Sequence, residues 1–311
     1  MPVSDQVDAS QAYDGAMELR TLTYFVAVVD AGTVSAAAER VRVTQPSLSR
    51  QVRQLERDLG VELFERHGGR LVLSSAGRSL LPLARDVLAS ADTLRTAARV
   101  RAEGGLDRVT IAAPATTLTD VVSPFLASLA PDDPTPAVVE TDPLDVDEAL
   151  RRGADLVVTT RRPRRPLRSA ALPELPVWAF VPADHPWGDR ESVGLAELLE
   201  QVVVTVPRTF AARQVLDGVV EREQRWPASL VEASSGTVAQ ALAAAGRGVA
   251  VVSDDSRYGL HGVRVRAGGA DLTVRLFVAW SSTHPAQETL ASLAERLRTF
   301  VVAAYPGAGP P

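Results

Sequence analysis

Gln45, Ser47, Ser49, Arg50 and Arg53 stand within one short stretch of this chain, and their types and spacing suit one chemistry. A glutamine amide can pair with adenine through two hydrogen bonds, and a guanidinium can do the same with guanine. Hydroxyls and guanidiniums also grip phosphates. Leu48, Val52, Leu55 and Leu59 are interleaved at i, i+4, i+7 and i+11. That spacing lays one apolar stripe along a helix and leaves the polar set on the opposite face and at the front end. Such a helix suits duplex DNA. Over 44–57, Arg50, Arg53 and Arg57 face Glu56 alone, and over 17–73 eight Arg stand against seven Asp and Glu, while the whole chain carries −5. Positive charge this local favours a site-directed binder over a protein that coats nucleic acid.

Other chemistries find little footing. The chain has no Cys, which excludes a disulfide, a thiolate nucleophile and a cysteine metal site. His67, His185, His261 and His284 are scattered, with no H-x-H or H-E-x-x-H spacing, and His185-Pro186 and His284-Pro285 read as turns. No P-loop or G-x-G-x-x-G occurs, and Gly246-Arg247-Gly248 reads as a helix stop and turn. Asp132-Asp133 and Asp254-Asp255 read as solvated turn acids. No trio suggests a nucleophile, a base and an oxyanion stabiliser. The expectation is a protein that is not an enzyme and needs no cofactor or metal.

The polar set must be positioned by its neighbours. Ser35 is expected to cap a short helix whose small Ala36, Ala37 and Ala38 let a second helix approach closely. Thr44 is a good N-cap for that second helix, with Pro46 in its first turn, and Gly60 ends it. Leu63, Phe64 and then Leu71, Val72 and Leu73 read as two short strands around His67-Gly68-Gly69-Arg70, a β-wing. Helix, tight turn, helix and wing in this order are a DNA-reading unit. Ser74 is placed to cap a long helix reaching about Ala102. Its Leu80, Leu83/Ala84, Val87/Leu88, Ala91, Leu94 and Ala98 repeat near every 3.5 residues, a narrow seam for another helix or for the chain's own body. Pro82 could bend it, and Glu103-Gly104-Gly105 breaks it.

Met17 to about Ala84 resembles the winged helix-turn-helix of the LysR-type transcriptional regulators. Leu19 to Asp30 matches that family's first helix, with its aromatic near the middle. The family's G-[ST]-x-[ST]-x-A-A appears as G-T-V-S-A-A-A. The recognition-helix pattern appears as T-Q-P-S-L-S-R-Q-V-R-Q-L-E, and then come L-G-V-E-L-F-E-R and L-S-S-A-G. The resemblance implies a DNA-binding set of Ser35, Thr44, Gln45, Pro46, Ser47, Ser49, Arg50, Arg53, Arg66 and Arg70. Family wings often carry Arg three residues after the Arg of L-F-x-R. Here that position is Gly69, and Arg70 beside it is the substitute. The long helix is implied to be the linker through which subunits dimerise, so that two heads meet an imperfect palindrome.

From Asp107 onward apolar strands alternate with helices, which predicts parallel-type sheets flanked by helices. The expected order is strand 109–113, helix 118–129, strand 137–140, helix 146–152 and strand 155–160. After the Pro/Arg-rich 161–168 come strand 177–182, helix 195–199, strand 202–206, helix 211–222, strand 229–232, helix 237–245 and strand 248–253. A strand at 274–280 and a terminal helix at 287–304 close the series. F-V-P-A-D-H-P-W (180–187), V-P-R-T-F (206–210) and the run 234–253 carry the family resemblance to about Tyr305. In such regulators this region is similar to periplasmic solute-binding proteins, two lobes with an effector in the cleft between them. The implied cleft residues are Thr116, Thr117, Thr160, Arg161, Pro207, Arg208, Ser235 and Thr237. Helices starting at the cleft favour anions, so a carboxylate is the default effector.

The expected fold is thus an N-terminal all-α winged helix-turn-helix (17–73) with a long linker helix (74–103), then a C-terminal α/β two-lobed periplasmic-binding-protein-like domain (107–305). Lobe one is placed at 107–163 plus 268–305 and lobe two at 164–267. Residues 1–16 read as a disordered extension or as a start-codon misassignment, and 306–311 as a tail. The partners expected are double-stranded DNA, a small-molecule effector, a second copy or three further copies of the chain, and RNA polymerase. No apolar run is long enough to span a bilayer and no signal-peptide core is present, so a cytoplasmic protein without a membrane partner is expected. The chain has no Lys or Asn and a single Ile, Ile111, which by codon logic suggests a GC-rich bacterial genome. Two competing readings are an α/β enzyme fused to a DNA-binding head and a regulator whose cleft has lost its ligand.

Overall fold

The computed structural model describes residues 17–67, 70–103, 105–141 and 146–305. The expected extension 1–16 and tail 306–311, Gly68-Gly69 of the expected wing and Gly104 of the expected helix break lie outside the described residues. The chain divides into two compact units, residues 1–95 and 96–311.

In the first unit, α1 (Leu19–Ala31) ends where Gly32 turns left-handed at φ 71°. Helix α2 (Val34–Arg40) begins immediately, and Thr33, not Ser35, is its cap: the Thr33 hydroxyl accepts from the Ala36 N–H at 3.2 Å. Ser35 was expected in that role, but it already lies inside the first turn. Helix α3 (Gln45–Leu59) starts after Thr44, which holds the extended N-cap conformation without a side-chain capping bond, and ends at left-handed Gly60. Of its apolar stripe Leu48, Val52 and Leu55 are buried, whereas Leu59 is 36 % exposed. Strands β1 (Phe64–His67) and β2 (Arg70–Leu73) pair antiparallel as the wing. Phe25 of α1 meets Phe64 edge-on at 5.6 Å, which joins helix and wing in one core.

Helix α4 (Ser75–Glu103) is capped by Ser74, whose hydroxyl accepts from Gly77 N–H at 2.9 Å and donates to the Glu62 carbonyl at 2.6 Å. The L-S-S-A-G motif is therefore a clasp. A Cβ on Gly77 would stand 2.1 Å from the Leu63 carbonyl oxygen, so only glycine lets the helix start this close to the wing. The apolar residues of α4 face two ways. Leu80, Ala84 and Leu88 pack on the head core, while Leu83, Val87 and Leu94 are exposed.

The second unit opens with β3 (Arg108–Ala113). The helix expected at 118–129 instead runs as α5 (Ala115–Thr117), a π turn (Leu118–Val122) and α6 (Ser123–Leu126). Pro124 has no N–H to offer the Asp120 carbonyl four residues earlier, which favours the wider turn. Then follow β4 (Thr135–Glu140), α7 (Val146–Arg151), β5 (Leu156–Thr159), β6 (Arg168–Ala171), β7 (Leu175–Pro176) and β8 (Trp178–Val181). Next are β9 (Ser192–Gly194), α8 (Leu195–Leu198), β10 (Val202–Thr205), α9 (Ala211–Glu223), β11 (Ser229–Glu232), α10 (Gly236–Ala244) and β12 (Val249–Val252). The chain closes with β13 (His261–Ala267), β14 (Ala270–Asp271), β15 (Thr273–Val274), β16 (Phe277–Trp280) and α11 (Gln287–Ala304).

The first lobe's sheet has the order β4-β3-β5-β16-β6, and the second lobe's has β11-β10-β12-β8-β13-β14 with β9 alongside β13. Two of the expectations need correction. Both sheets are mixed, because β16 and β8 run antiparallel to their neighbours. The lobe boundaries also move. β6 pairs with β16, so Arg168–Ala171 belongs to the first lobe, and β14 pairs with β13, so Ala270–Asp271 belongs to the second. The crossovers pass side by side where β7 pairs with β15. The π turn, the ends of β3 and β5 and Tyr305 thus line, with the residues following β10 and β12, the space between the lobes.

Candidate functional site

Two concave surfaces concern function, one in each unit. In the head, Ser35, Gln45, Ser49 and Arg53 line a concavity of about 960 Å³ walled by α2, α3 and the wing. Gln45 Nε2 donates to Ser49 Oγ at 3.1 Å, so the two present one continuous polar edge at the front of α3. Arg50 and Arg53 are exposed, and Arg50 Nε reaches back to the Pro46 carbonyl at 3.4 Å. Pro46 and Thr44 are exposed at the start of the helix, and Ser47 is half-buried. Arg66 and Arg70 lie on the wing strands, where only their backbone is described. Glu56 was not singled out from the sequence. Its carboxylate accepts from the N–H groups of Leu63 at 2.9 Å and Phe64 at 3.2 Å, fixing the wing to α3.

The second surface is a cavity of about 440 Å³ between the two lobes. Thr116, Thr117 and Thr160, expected there, line it at the ends of β3 and β5. Arg161, Pro207, Arg208, Ser235 and Thr237 do not. Arg208 projects to solvent and pairs with Asp217 at 3.3 Å, and Ser235 caps α10 through the Val238 N–H at 3.3 Å. The neighbouring Val206, Thr209 and Phe210 line the wall in place of Pro207 and Arg208.

The acids of the cleft were missed in the sequence. Asp120, Glu140 and Asp254 line the cavity, together with Tyr305, and among the described residues no Arg or His lines it. Asp120, on the π turn, is buried and accepts from Arg257 Nη2 at 2.7 Å and from the Asp255 N–H at 3.1 Å. The Tyr305 hydroxyl lies 2.9 Å from the Asp120 carbonyl oxygen and 3.1 Å from Asp255 Oδ1. Gln240, fully buried on α10, holds the far side of this loop by donating to the Asp255 carbonyl at 2.9 Å and accepting from Arg257 N–H at 2.7 Å.

Asp254-Asp255 is therefore not the solvated turn pair expected. Asp254 is 6 % exposed. Its carboxylate sits on Gly236 at the start of α10, where a Cβ would meet Oδ2 at 2.1 Å. Burial first, and then the charge of Asp120, push Asp254 up to about 6. Burial and Asp120 likewise raise Asp255, and burial raises the Tyr305 hydroxyl.

Residues 19–78 match the family described as bacterial regulatory helix-turn-helix protein, lysR family, and residues 102–301 match the LysR substrate binding domain. The chain belongs to the LysR family. As a LysR-family transcriptional regulator it joins a DNA-binding helix-turn-helix to an effector-binding domain, and the two concavities fall one in each. Its relatives include the uncharacterised HTH-type transcriptional regulator YybE of Bacillus subtilis, 26 % identical over 76 % of this chain and 83 % of that protein. Full-length OxyR from Pseudomonas aeruginosa is similar in structure, with a TM-score of 0.65 at 25 % identity, covering 91 % of this chain and 95 % of that one. CbnR solved in complex with its target DNA gives a TM-score of 0.62 at 25 % identity, covering 90 % of this chain and all of that one (100 %). Among the described residues of this LysR-family chain, no single helix is long and apolar enough to cross a membrane.

Proposed function

We propose that this LysR-family regulator reads promoter DNA with the front of α3, as a homodimer or homotetramer, and that a small molecule in the inter-lobe cleft controls it. The observation that carries the reading is the single polar edge formed by Ser35, Gln45, Ser49 and Arg53 in the concavity of the head. Gln45 and Ser49 are placed to read base edges, while Arg50 and Arg53 hold phosphates, with Arg66 and Arg70 on the wing beside the duplex. The exposed Leu83, Val87 and Leu94 of α4 supply an apolar strip for a second copy of the helix. The similarity to CbnR, solved on its target DNA, supports the same use of this head.

The cleft residues Thr116, Thr117 and Thr160 face Thr209, Phe210 and Asp254 across a cavity of ordinary ligand size. A ligand touching both lobes shifts their equilibrium only through its preference for one arrangement, and the pairing of heads follows that shift. The effector domain is a sensor and not an enzyme in this reading, as the regulator names of its relatives support. Contact with RNA polymerase at the promoter and a cytoplasmic location belong to the same proposal. The test is competition binding with a labelled duplex from upstream of the gene and an unlabelled random duplex. Retention against excess random DNA, with a retention ratio altered by one metabolite of a screened panel, supports the proposal. Equal displacement by both duplexes refutes it.

A further inference from the structure

We infer that the inter-lobe cleft takes an organic cation, a primary ammonium or guanidinium on a small apolar body, with the Asp254 carboxylate as its counter-ion. The inference rests on the reading of the cleft as an effector site and replaces the carboxylate expected from helix N-termini alone.

Three observations lead to it. The cavity of about 440 Å³ is lined by Asp120, Glu140 and Asp254 and, among the described residues, by no Arg or His. Asp120 already has its partners, Arg257 and the Asp255 N–H. Asp254 does not. It is 6 % exposed, faces the cavity, and among the described residues its carboxylate takes a hydrogen bond only from its own backbone amide. A carboxylate so buried without a cation or a set of donors is costly, and an ammonium bonded to it would supply both charge and donors.

The surroundings of Asp254 bear on the sign. The start of α10, at Gly236 beneath it, offers the partial positive charge of a helix N-terminus. Against that stand Asp120 from the π turn and Asp255 from its own loop, whereas Arg257, the one guanidinium of the group, is bonded to Asp120 and to the Asp255 carbonyl. Tyr305 from the end of α11 is engaged with Asp120 and Asp255. A ligand carboxylate would find the helix starts at Ala115 and Ala211 and the nearby threonines, each helix start worth about half a unit charge, but would have to lie against this acidic wall. Leu175, Val206, Phe210, Val274 and Leu276 provide the apolar wall for the body of the ligand. Because Asp254 holds its proton up to about pH 6, cation affinity rises as pH climbs through that value and is level above it.

The test is calorimetric titration of the full chain with benzylamine, 1,4-diaminobutane and butylguanidinium, against benzoate and adipate as anions and benzyl alcohol as the neutral match. The expected result is that at least one cation binds tenfold or more tighter than its matched anion and alcohol. Its affinity should gain about tenfold between about pH 5 and pH 7.5, following ionisation of one carboxyl. Asp254→Asn should remove that preference and the pH dependence together. The panel on the unaltered chain decides the matter even if the variant does not fold. Preference for an anion or for the alcohol overturns the cation and leaves the effector reading standing. Cation binding that survives Asp254→Asn overturns the counter-ion. Binding of no member of the three classes overturns the cation, and the effector reading is then decided by the metabolite panel in the DNA competition assay.

Discussion

Arg257 Nη2 lies 2.7 Å from Asp120 Oδ1, and with the Asp255 N–H bond to the same carboxylate this ion pair ties the second lobe of the effector domain to the π turn of the first. The pair sits at the edge of the cleft, next to Asp254 and Tyr305, so whatever fills the cleft adjoins the contact that sets the lobes together. Removing the guanidinium leaves Asp120, 7 % exposed, with a buried charge and one remaining donor. Arg257→Ala should therefore lower the effector domain's stability by about 1.5–3 kcal/mol, the range for a hydrogen bond to a charged group, read from its own unfolding transition in the full chain. An unchanged transition would mean that the bond is not held in solution.

Asp254 makes the stability of this domain depend on pH. Its folded value of about 6 lies above the ordinary 3.8, so the folded state holds the proton more tightly than the unfolded chain. The stability this contributes is present below about pH 4 and is lost as pH rises to about 6. Asp254→Asn, which carries no charge at any pH, should match the unaltered protein near pH 4 and exceed it above pH 6 by up to roughly 2–3 kcal/mol. Thermal melts of both proteins across this range would show the two curves parting, and curves that stay together would contradict the buried, uncompensated carboxylate.

Gly77 is where the long helix meets the wing. A Cβ there would stand 2.1 Å from the Leu63 carbonyl oxygen and 2.9 Å from Leu73 Cδ2, and the first of these is backbone that cannot swing aside. Gly77→Ala should cost the head at least about 1–3 kcal/mol, the usual penalty for overpacking, and should weaken DNA binding by displacing the wing. Circular dichroism melting with a DNA titration checks both effects.

The polar face of α3 separates base reading from phosphate holding. Gln45→Ala and Ser49→Ala should each weaken specific binding by about 1–3 kcal/mol while leaving random DNA unaffected. The two are hydrogen-bonded at 3.1 Å, so the double variant should show less than the sum. Arg53→Ala should weaken all sequences alike and lower the salt slope by about 1. Binding to specific and random duplexes over a range of salt distinguishes the two classes.

The head was legible in the sequence because its signals are local. Gly32 and Gly60 stop helices by their own left-handed turns, Pro46 sits in a first turn, and the α3 stripe repeats over a few residues. Even there Ser35 was given a cap that belongs to Thr33, two residues away, since either hydroxyl fits the pattern. The cleft was only half legible. Thr116, Thr117 and Thr160 follow from the rule that ligands gather at the ends of strands. Asp120 and Asp255 are 135 residues apart, and Tyr305 is 185 from Asp120, separations at which no periodicity speaks. Asp254-Asp255 looks like a polar turn because nothing nearby in the chain shows that the other lobe will cover it. Arg168–Ala171 was placed in lobe two for the same reason, since its partner Phe277–Trp280 comes about a hundred residues later.

DNase footprinting of the full chain on the intergenic DNA upstream of its gene, with random duplex as competitor, tests the central claim most directly. A site-specific regulator presenting paired α3 helices should protect a stretch with dyad symmetry, and Gln45→Ala should erase the protection at one base position in each half-site. Protection without symmetry, or protection that random duplex removes as readily as the site itself, would contradict it.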